Sequence, residues 1–450
     1  MPVEEISGRV EAMLPTVIED LAALVRLPSC AFPGFPAEPV LETAQAIVEL
    51  LARYGAPDAR LLEVPGGYPA VFADIPAPPG APTLLLYAHY DIQPAPLDQG
   101  WDTEPFIPEI REGRMYGRGA SDDKSGVMII AAALAAFGGN PPVGVKVLIE
   151  GEEETGSTLD ALIAANPQLA RCDGFIINDG GNLKRGEPEL TIALRGIVAC
   201  DVTVRSLKGM AHSGSFGGAA PDALMALIRI IDSLLDEHGD VAIPGLTRFE
   251  WDGVGIPEAD YREAAGVLPG VGLMGSGTLA TRLWARPSVT AIGLDAPPTA
   301  GASNSLIPEA KARISLRIAP GSDVDESLRA LMNHIHAVAP WGVEVVVAPA
   351  NSGPAFLGKT SGPLFAAAKL AAAEAFGAEA KMTGSGGTIP LLTTLQQIAP
   401  DAEFVVWGPG DQDSQVHAAN ESLDLGELER MIVAEALVLE RMGQLQDVPG

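Results

Sequence analysis

Hydrophobic residues recur along this chain with two distinct periods. Near the N-terminus, Val10, Leu14, Ile18, Leu21 and Val25 have the spacing of one helical face, which predicts an amphipathic helix. Elsewhere, short runs of aliphatic and β-branched residues stand between Gly, Pro or Asp, and they predict strands that are apolar on both faces. These runs are Thr83–Tyr87, Val145–Ile149, Phe175–Ile177 and Phe404–Trp407.

Predicted helices alternate with these strands and indicate the fold class. An alternation of buried strands with helices is typical of an α/β domain whose mostly parallel sheet is covered by helices on both faces. The helical stretches are Val40–Tyr54, Ser125–Phe137, Ser157–Ala165 and Gly362–Phe376.

The middle of the chain predicts a different architecture, the ferredoxin-like α+β sandwich with its order strand–helix–strand–strand–helix–strand. We expect this small domain at residues 193–349, inserted into a larger α/β domain formed by residues 1–192 and 350–450. Within the insertion, Phe249–Trp284 is rich in glycine and predicts no regular element. The strands are Ile197–Val204, Ser288–Gly293, Ala312–Ile318 and Val343–Ala348, and the helices are Pro221–Leu235 and Val324–Val338.

Composition excludes several classes of function. The chain has 58 acidic and 29 basic residues, a formal charge of −29, so a nucleic acid or an anionic membrane surface is not an expected partner. Cys30, Cys172 and Cys200 are far apart and form no C-x-x-C pair, which is typical of a reducing compartment. The sequence shows no signal peptide and no apolar run of the ~20 residues that a membrane span needs. We therefore expect a cytoplasmic protein.

Ionisable residues follow three of the predicted strands. His89 and Asp91 are two residues apart, so on a strand they share one face. The run Glu152–Glu154 comes just after the second strand, and Asp179 just after the third. Because α/β proteins place their sites at the carboxyl ends of strands, these side chains are expected to meet.

Two further groups add carboxylates and a second histidine. The segment Gly117–Lys124, with sequence GRGASDDK, precedes a predicted helix, and Asp411, Asp413 and His417 follow the last strand. Carboxylates gathered in this way repel one another unless cations neutralise them. His, Asp and Glu without Cys suit Zn²⁺ or Mn²⁺ in an open, catalytic site.

Taken in chain order, these motifs resemble those of metallopeptidase family twenty, which includes carnosinase-type dipeptidases, aminoacylase, succinyl-diaminopimelate desuccinylase and bacterial glutamate carboxypeptidase. The segments Glu150–Ser157 and His212–Gly218 are most similar to the carnosinase-like branch. The resemblance covers roughly residues 15–440 and implies a zinc-binding α/β domain with an inserted lid domain that also forms a homodimer. The motifs that carry it are His89-x-Asp91, Gly-Arg-Gly-x-x-Asp122-Asp123-Lys124, Glu153-Glu154, Asp179 and His417.

The resemblance implies two divalent ions, most simply Zn²⁺ with Mn²⁺ or Co²⁺ as alternatives, and a role for each motif residue. Asp91 would orient His89, and Glu153 would be the general base that takes a proton from a water shared by the ions. A cis peptide bond is expected at Asp122–Asp123. The implied metal ligands are His89 and Asp179 for one ion, Glu154 and His417 for the other, and Asp122 as the bridge.

Four residues of the inserted domain and the following loop complete the implied site. His212 would reach the partner subunit's site and stabilise the oxyanion. Arg317, which alternates out of an apolar strand, would bind the free carboxylate of the substrate. Gly387 and Thr388, in the glycine-rich Gly386–Pro390 segment, would hold the same carboxylate through backbone amides and a hydroxyl group.

Three functions stay open at this point. The chain is expected to be a dipeptidase or other exopeptidase, or an N-acyl amino acid deacylase, each acting on a small substrate with a free carboxylate. A non-catalytic homologue that binds a ligand or a partner is disfavoured, because all five ligands and Glu153 are retained. The carnosinase-like relatives usually carry Arg-Glu where this chain has Gly384 and Ser385. The missing acid predicts better tolerance of N-blocked substrates.

Overall fold

The computed structural model describes residues 1–387, 389 and 391–445. Its α-helices are α1 (Val3–Val25), α2 (Glu38–Arg53), α3 (Lys124–Ala136), α4 (Leu159–Ala165), α5 (Ser213–Phe216), α6 (Ala223–Asp232), α7 (Glu258–Ala264), α8 (Val324–Ala337), α9 (Pro363–Phe376), α10 (Leu391–Ile398) and α11 (Leu425–Gln444). Its strands are β1 (Arg60–Leu62), β2 (Ala70–Ile75), β3 (Thr83–His89), β4 (Glu109–Arg111), β5 (Arg114–Tyr116), β6 (Gly144–Glu150), β7 (Gly174–Ile177), β8 (Glu189–Leu194), β9 (Gly196–Arg205), β10 (Ala211–His212), β11 (Ser288–Asp295), β12 (Ser305–Leu306), β13 (Glu309–Ile318), β14 (Glu344–Gly353), β15 (Phe356–Leu357), β16 (Lys381–Ser385), β17 (Glu403–Val406) and β18 (Ser422–Asp424).

The chain packs as two compact units. The first contains Met1–Ile192, Gly358–Met382 and the chain from Ile389 onward. The second contains Ala193–Leu357 and a short stretch that begins at Thr383. The sequence places the inserted domain at residues 193–349, whereas the second unit extends further along the chain. That the two units are separate folding domains stays a prediction.

The first unit is built on a six-stranded sheet with the order β1-β2-β6-β3-β7-β17. β3 pairs in parallel with β6 and with β7, and β17 pairs in parallel with β7. β1 and β2 form an antiparallel edge that the sequence analysis did not predict. The fold class predicted from the sequence, an α/β domain with a mostly parallel central sheet, is confirmed.

Both faces of this sheet are buried, as the continuous apolar runs predict. Leu84 and Leu86 of β3 point into a large core cluster, whereas the alternate residues Leu85 and Tyr87 are buried on the other face. Helix α11 packs against α1, α3 and α9, and α1 also packs against α3. Helix α3 contacts β3, and α9 contacts β17. In α1, the buried face includes Val10, Val17 and Leu21.

The second unit contains a four-stranded antiparallel sheet with the order β11-β13-β9-β14. Helices α6 and α8 pack on one face of it, and their buried side chains form a separate core with alternate residues of β9 and β13. The order β9-α6-β11-β13-α8-β14 is that of the predicted ferredoxin-like sandwich, which is confirmed. Within Phe249–Trp284, the structure forms α7 and the first residues of a π-helix at Thr281–Ala285.

Among the described residues, no helix combines the length and the apolar character that crossing a membrane requires.

Candidate active site

The ends of three parallel strands bring the predicted residues of the first unit to one edge of the sheet. His89, the last residue of β3, stands opposite Glu150, the last residue of β6. Asp179 follows two residues after β7, whose last residue Ile177 pairs with Tyr87 of β3. Parallel pairing therefore converts positions that are far apart in the sequence into one cluster.

Two groups of ligand atoms meet at this edge. The first is His89, Asp122 and Asp179, and the second is Asp122, Glu154 and His417; in each group the ligand atoms lie within 4.8 Å of one another. Asp122 is common to both groups. Its Oδ1 lies 3.0 Å from Nε2 of His89, and its Oδ2 lies 2.9 Å from Nε2 of His417. One carboxylate thus presents one oxygen to each group.

The donor set fits two divalent cations. Histidine nitrogens and carboxylate oxygens without thiolates suit zinc and related ions. Nε2 of His417 lies 3.1 Å from Oε1 of Glu154, yet this buried oxygen has no hydrogen bond of acceptable geometry among the described residues. A buried oxygen without a partner, directed at a histidine and a shared carboxylate, is what a metal site requires.

The pKa values in the cluster show how strongly its charges interact. Burial raises the pKa of the Asp179 carboxyl group to about 7. The adjacent carboxylates of Asp122 and Glu154 raise the pKa of His417 to about 10. Burial opposes ionisation of Asp122, but hydrogen bonds from His417 and His89 hold the pKa of its carboxyl group below the ordinary range. Without metal, protons on the histidines balance the carboxylates, and bound cations would replace them.

Asp91 makes more contacts than the sequence predicts. Nδ1 of His89 lies 3.1 Å from the backbone carbonyl oxygen of Asp91 and 3.4 Å from its Oδ1. The two carboxylate oxygens of Asp91 each accept a 3.0 Å hydrogen bond, one from the amide of Glu153 and one from that of Glu154. Asp91 is fully buried. It therefore fixes both the orientation of His89 and the loop that carries the two glutamates.

Glu153 and Glu154 lie in a single turn of 3₁₀-helix, Glu153–Thr155, directly after β6. Burial, followed by repulsion from Asp179, raises the pKa of the Glu153 carboxyl group well above its ordinary value. The amide side chain of Gln93 donates a 2.7 Å hydrogen bond to Oε2 of Glu154, which leaves Oε1 to face His417. The sequence analysis did not single out Gln93.

The loop that carries Asp122 has a conformation that its glycine permits. Gly119 has φ +82°, and a Cβ atom there would lie 2.7 Å from Cγ2 of Ile92. The peptide bond between Asp122 and Asp123 is cis, as predicted. Asp123 then caps α3 by accepting from the amide of Gly126, and it also accepts from the amide of His89 at 3.1 Å.

Two acids near the C-terminus, Asp411 and Glu421, support the site; the sequence analysis placed Asp411 in the carboxylate group and did not name Glu421. Asp411 forms a bidentate ion pair with Arg114 at 2.6 and 2.9 Å, so its carboxylate is already neutralised. Glu421 is fully buried and accepts hydrogen bonds from the loop before Asp122. Their partners lie about 300 residues away in the sequence, where no local pattern could reveal them.

A small cavity adjoins the two ligand groups. Its volume is about 180 Å³, and Asp122 and Asp179 form part of its wall. The backbone of Gly180, Gly181 and Gly410 forms another part. Ligand pockets for larger molecules usually have about 300–1,000 Å³. The cavity is therefore suited to a small substrate group.

The remaining predicted residues belong to the second unit or lie outside the described residues. His212 is exposed at the end of β10, and its Nδ1 accepts a 3.1 Å hydrogen bond from the amide of Gly214. Arg317 lies on β13 opposite Ser288 of β11. Gly387 is exposed and its amide donates to Oγ of Ser385 at 3.2 Å. Thr388 lies outside the described residues.

A second arginine, which the sequence analysis did not identify, lies near Arg317. Burial, and then the positive charge of Arg317, lower the pKa of Arg195 to about 10, and Nη1 of Arg195 donates to Oγ of Ser288 at 3.0 Å. Burial also lowers the pKa of Arg317. No carboxylate offsets the charge of either guanidinium within the described part of the second unit. Two uncompensated guanidinium groups form an attractive site for an anion.

Gly384 has a structural reason to be glycine in this chain. A Cβ atom at this position would lie 2.7 Å from Cβ and Cγ of Trp284, which is itself buried. A long side chain at position 384 would require the indole of Trp284 to move. The departure at Gly384 is thus coupled to the packing of Phe249–Trp284.

Two cation sites that share a carboxylate, with a further carboxyl group beside them, form the arrangement by which hydrolases activate water on paired metal ions. Comparison with known families agrees, because residues 85–441 match the model of Peptidase family M20/M25/M40. The chain belongs to this family and is therefore a metal-dependent hydrolase of amide bonds.

Individual relatives resemble most of the chain. The cysteinylglycine-S-conjugate dipeptidase of Corynebacterium striatum is 41% identical over 372 residues, which cover 81% of this chain and 82% of the relative. The Beta-Ala-His dipeptidase of Homo sapiens is 28% identical over 388 residues, covering 82% and 76%. The di-peptidase Dug1p from Saccharomyces cerevisiae has the same fold, with a TM-score of 0.81 at 24% identity over 98% of this chain and 99% of that one.

Proposed function

We propose that this protein is a dipeptidase that uses two divalent metal ions, one held by His89, Asp122 and Asp179 and the other by Asp122, Glu154 and His417. The observation that carries the proposal is the sharing of Asp122 between two compact ligand groups. We propose zinc as the resident ion, because imidazole and carboxylate ligands in an open site suit it. Manganese and cobalt are compatible with the same ligands.

The chemistry divides between the metal ions and the chain. Bound divalent ions supply Lewis acidity, which lowers the pKa of a water molecule and polarises the amide carbonyl group. Glu153 accepts the proton of the attacking water and delivers it to the nitrogen of the leaving group. Asp91 supports both tasks, because it accepts hydrogen bonds from the amides of Glu153 and Glu154 and adjoins Nδ1 of His89. Its burial keeps this support rigid.

The free carboxylate of the substrate is the proposed partner of Arg317, with Arg195 as a second positive charge. A carboxylate would relieve the mutual repulsion of two partly buried guanidinium groups that have no acidic partner among the described residues of this unit. A planar guanidinium also binds a carboxylate in two-pronged geometry, which a neutral C-terminal amide cannot reproduce. Gly387 and Thr388 are proposed to contribute further donors.

Cysteinylglycine and its S-substituted forms are the proposed substrate class. A cysteinylglycine-S-conjugate dipeptidase is the relative with 41% identity, whereas the Beta-Ala-His dipeptidase is 28% identical. The cavity of about 180 Å³ beside the ligand groups suits one small group of such a substrate. We further propose a cytoplasmic homodimer in which His212 stabilises the oxyanion in the partner subunit's site.

Deacylation of N-acyl amino acids is the second candidate, and one observation favours it. Ser385 stands where the carnosinase-like branch usually has a glutamate, so this position carries no acid in this chain. A charged substrate N-terminus therefore lacks one attractive partner, and a neutral acyl group meets less discrimination.

A metal-reconstituted substrate panel tests the proposal. Chelation is expected to abolish hydrolysis, and Zn²⁺, Mn²⁺ or Co²⁺ to restore it with two ions bound per chain. kcat/KM is then compared for cysteinylglycine, S-methyl-cysteinylglycine, the N-acetyl form and the C-terminal amide. The proposal predicts that both free dipeptides are cleaved and that the amide is a poor substrate.

Each alternative has its own result in this panel. An N-acetyl substrate cleaved faster than the free dipeptide would replace the dipeptidase by a deacylase. An amide cleaved as fast as the acid would remove Arg317 and Arg195 from carboxylate binding. A metal-loaded protein that cleaves none of the four substrates, or one that binds no divalent ion, would overturn the proposed function.

A further inference from the structure

The carboxylate of Glu421 lies inside the loop that precedes Asp122. Its Oε1 accepts hydrogen bonds from the backbone amides of Gly119, Ser121 and Asp122 at 3.0–3.1 Å. Its Oε2 lies 3.1 Å from the amide of Gly119 and accepts a 2.6 Å hydrogen bond from Nη1 of Arg118. Glu421 has no solvent-exposed surface. Nearly the whole loop is thus arranged around one buried side chain.

This arrangement is a backbone nest of the kind that binds anions, but here the anion is a side chain of the protein itself. Successive amides that converge on one point make a concave site of positive potential. The backbone is held from the same segment as well, because the amide of Gly117 donates to the carbonyl oxygen of Glu421. Removal of the carboxylate would leave several converging amides without acceptors, so the loop would lose its defined shape.

The last amide of the nest belongs to the acid that both ligand groups share. Because Asp122 donates its own backbone amide to Glu421, the position of its Cα atom depends on this contact. Its two carboxylate oxygens must reach His89 on one side and His417 on the other, at 3.0 and 2.9 Å. Both distances therefore depend on the conformation of the loop.

The positive charge of Arg118 reduces the repulsion between the carboxylates of Glu421 and Asp122. Its guanidinium is 1% exposed and pairs with Glu421, so the buried charge of Glu421 is neutralised within the loop. A neutral glutamine could not replace the glutamate, because its NH₂ group would face donors instead of acceptors. The loop therefore requires a negatively charged side chain at position 421 whose two oxygens both accept hydrogen bonds.

We propose that Glu421 is a positioning residue of the metal centre, and that it sets the loop so that Asp122 can serve both ions. The proposal rests on the proposed function, since it assumes that Asp122 bridges two metal ions. Glu421 itself belongs to neither ligand group. Its effect passes entirely through the backbone of Gly119–Asp122.

The test compares Glu421→Gln with Glu427→Gln. Glu427 is a matched control, because it is equally buried and accepts from a backbone amide, a side-chain amide and a guanidinium, none of which belongs to a proposed ligand. Metal affinity is measured by competition with a chromophoric chelator. Amide hydrogen exchange of the loop is measured on the metal-free protein.

Glu421→Gln is expected to weaken metal binding by roughly 10–100-fold, the usual effect of losing a partner that orients a ligand. Exchange at Gly119, Ser121 and Asp122 is expected to accelerate even without metal. Glu427→Gln is expected to lower the unfolding temperature while its metal affinity stays within about twofold of wild type. Wild-type metal affinity in Glu421→Gln would overturn the proposal, as would an equal loss of affinity in both variants.

Glu421→Asp keeps the negative charge but shortens the side chain by one methylene group, which moves the carboxylate away from the loop. This variant is used for the test if Glu421→Gln does not fold. Its metal affinity is expected to fall between those of wild type and Glu421→Gln, or below wild type by several-fold if it is the only folded variant. An affinity equal to wild type would overturn the positioning role. The proposed function fails separately, since a wild-type protein that binds no divalent ion would refute it before any variant is made.

Discussion

At the scale of single residues, the proposed proton transfer depends on the Glu153 carboxyl group. Glu153→Gln is expected to retain both metal ions and to lower kcat by about 10²–10⁴-fold, because an amide cannot accept a proton from water. Metal content and kcat are measured on the same preparation, so that loss of metal is separated from loss of the base.

The neighbouring residue supplies the control for this substitution. Glu152 lies in the same loop, but its Oε2 accepts from the hydroxyl group of Thr158 at 2.7 Å, and it belongs to neither ligand group. Glu152→Gln is expected to keep kcat within a few-fold of wild type. Full activity in a metal-replete Glu153→Gln protein would exclude Glu153 as the base.

The candidate residues that the sequence identifies are those that directly follow a buried strand or precede a helix. His89 and Asp179 are examples, because an ionisable residue after an apolar run is conspicuous and the parallel sheet gathers such positions. Glu421 was not identified, because a glutamate near the C-terminus is unremarkable until the amides it accepts from, 300 residues upstream, are known. Arg195 was missed for a similar reason, since its relation to Arg317 exists only after the second unit has folded.

At the scale of the elements, α11 carries a buried acid that makes stability depend on pH. Glu435 is fully buried, and burial raises the pKa of its carboxyl group to about 8 despite the nearby side chains of Asn178 and Trp407. Between about pH 4.5 and 8, the folded protein therefore holds a proton that the unfolded chain releases. The free energy of unfolding falls as the pH rises through this window, by an amount on the order of 5 kcal/mol for this group.

Glu435→Gln is expected to remove this dependence. The free energy of unfolding of the variant should be close to that of wild type near pH 4.5. It should exceed the wild-type value by a growing amount as the pH approaches 8.5. Urea denaturation of the metal-loaded protein at four or five pH values measures the difference. Glu429→Gln, a partly exposed change on the same helix, is the control and should follow wild type. A constant difference between Glu435→Gln and wild type across the window would contradict the argument.

The strands that the sequence identifies are those whose burial on both faces leaves an unbroken apolar run, such as β3 and β6. β1, with only three residues at the edge of the sheet, leaves no such pattern. In α1, Leu14 was expected on the buried face, yet Val17 is buried and Leu14 is partly exposed. The spacing locates a helix well but leaves its rotation to tertiary packing, which the sequence pattern does not contain.

At the scale of the whole molecule, the proposed dimer predicts that two inactive variants can restore each other. If His212 serves the partner subunit's site, a heterodimer of His212→Ala and Glu153→Gln chains contains one site in which both residues are intact. Mixing the two variants under conditions of subunit exchange is expected to regenerate up to about a quarter of wild-type activity at a 1:1 ratio, from random pairing.

Two controls complete this experiment. Each variant is carried through the same exchange alone, and a differently tagged chain confirms that heterodimers have formed. Absence of rescue in confirmed heterodimers would place His212 in its own subunit's site or outside catalysis. A protein that remains monomeric at assay concentrations would contradict the proposed homodimer directly.

The contact between Glu421 and the loop before Asp122 has a consequence for biosynthesis. The loop leaves the ribosome early, but the carboxylate that shapes it is translated 302 residues after Gly119, and His417 emerges only shortly before that carboxylate. Before His417 is translated, the nascent chain contains four of the five proposed ligands. Asp122, the shared ligand, then still lacks the contact with Glu421 that positions its loop. If Glu421 positions the loop, we expect the metal ions to bind tightly only after this residue has been translated.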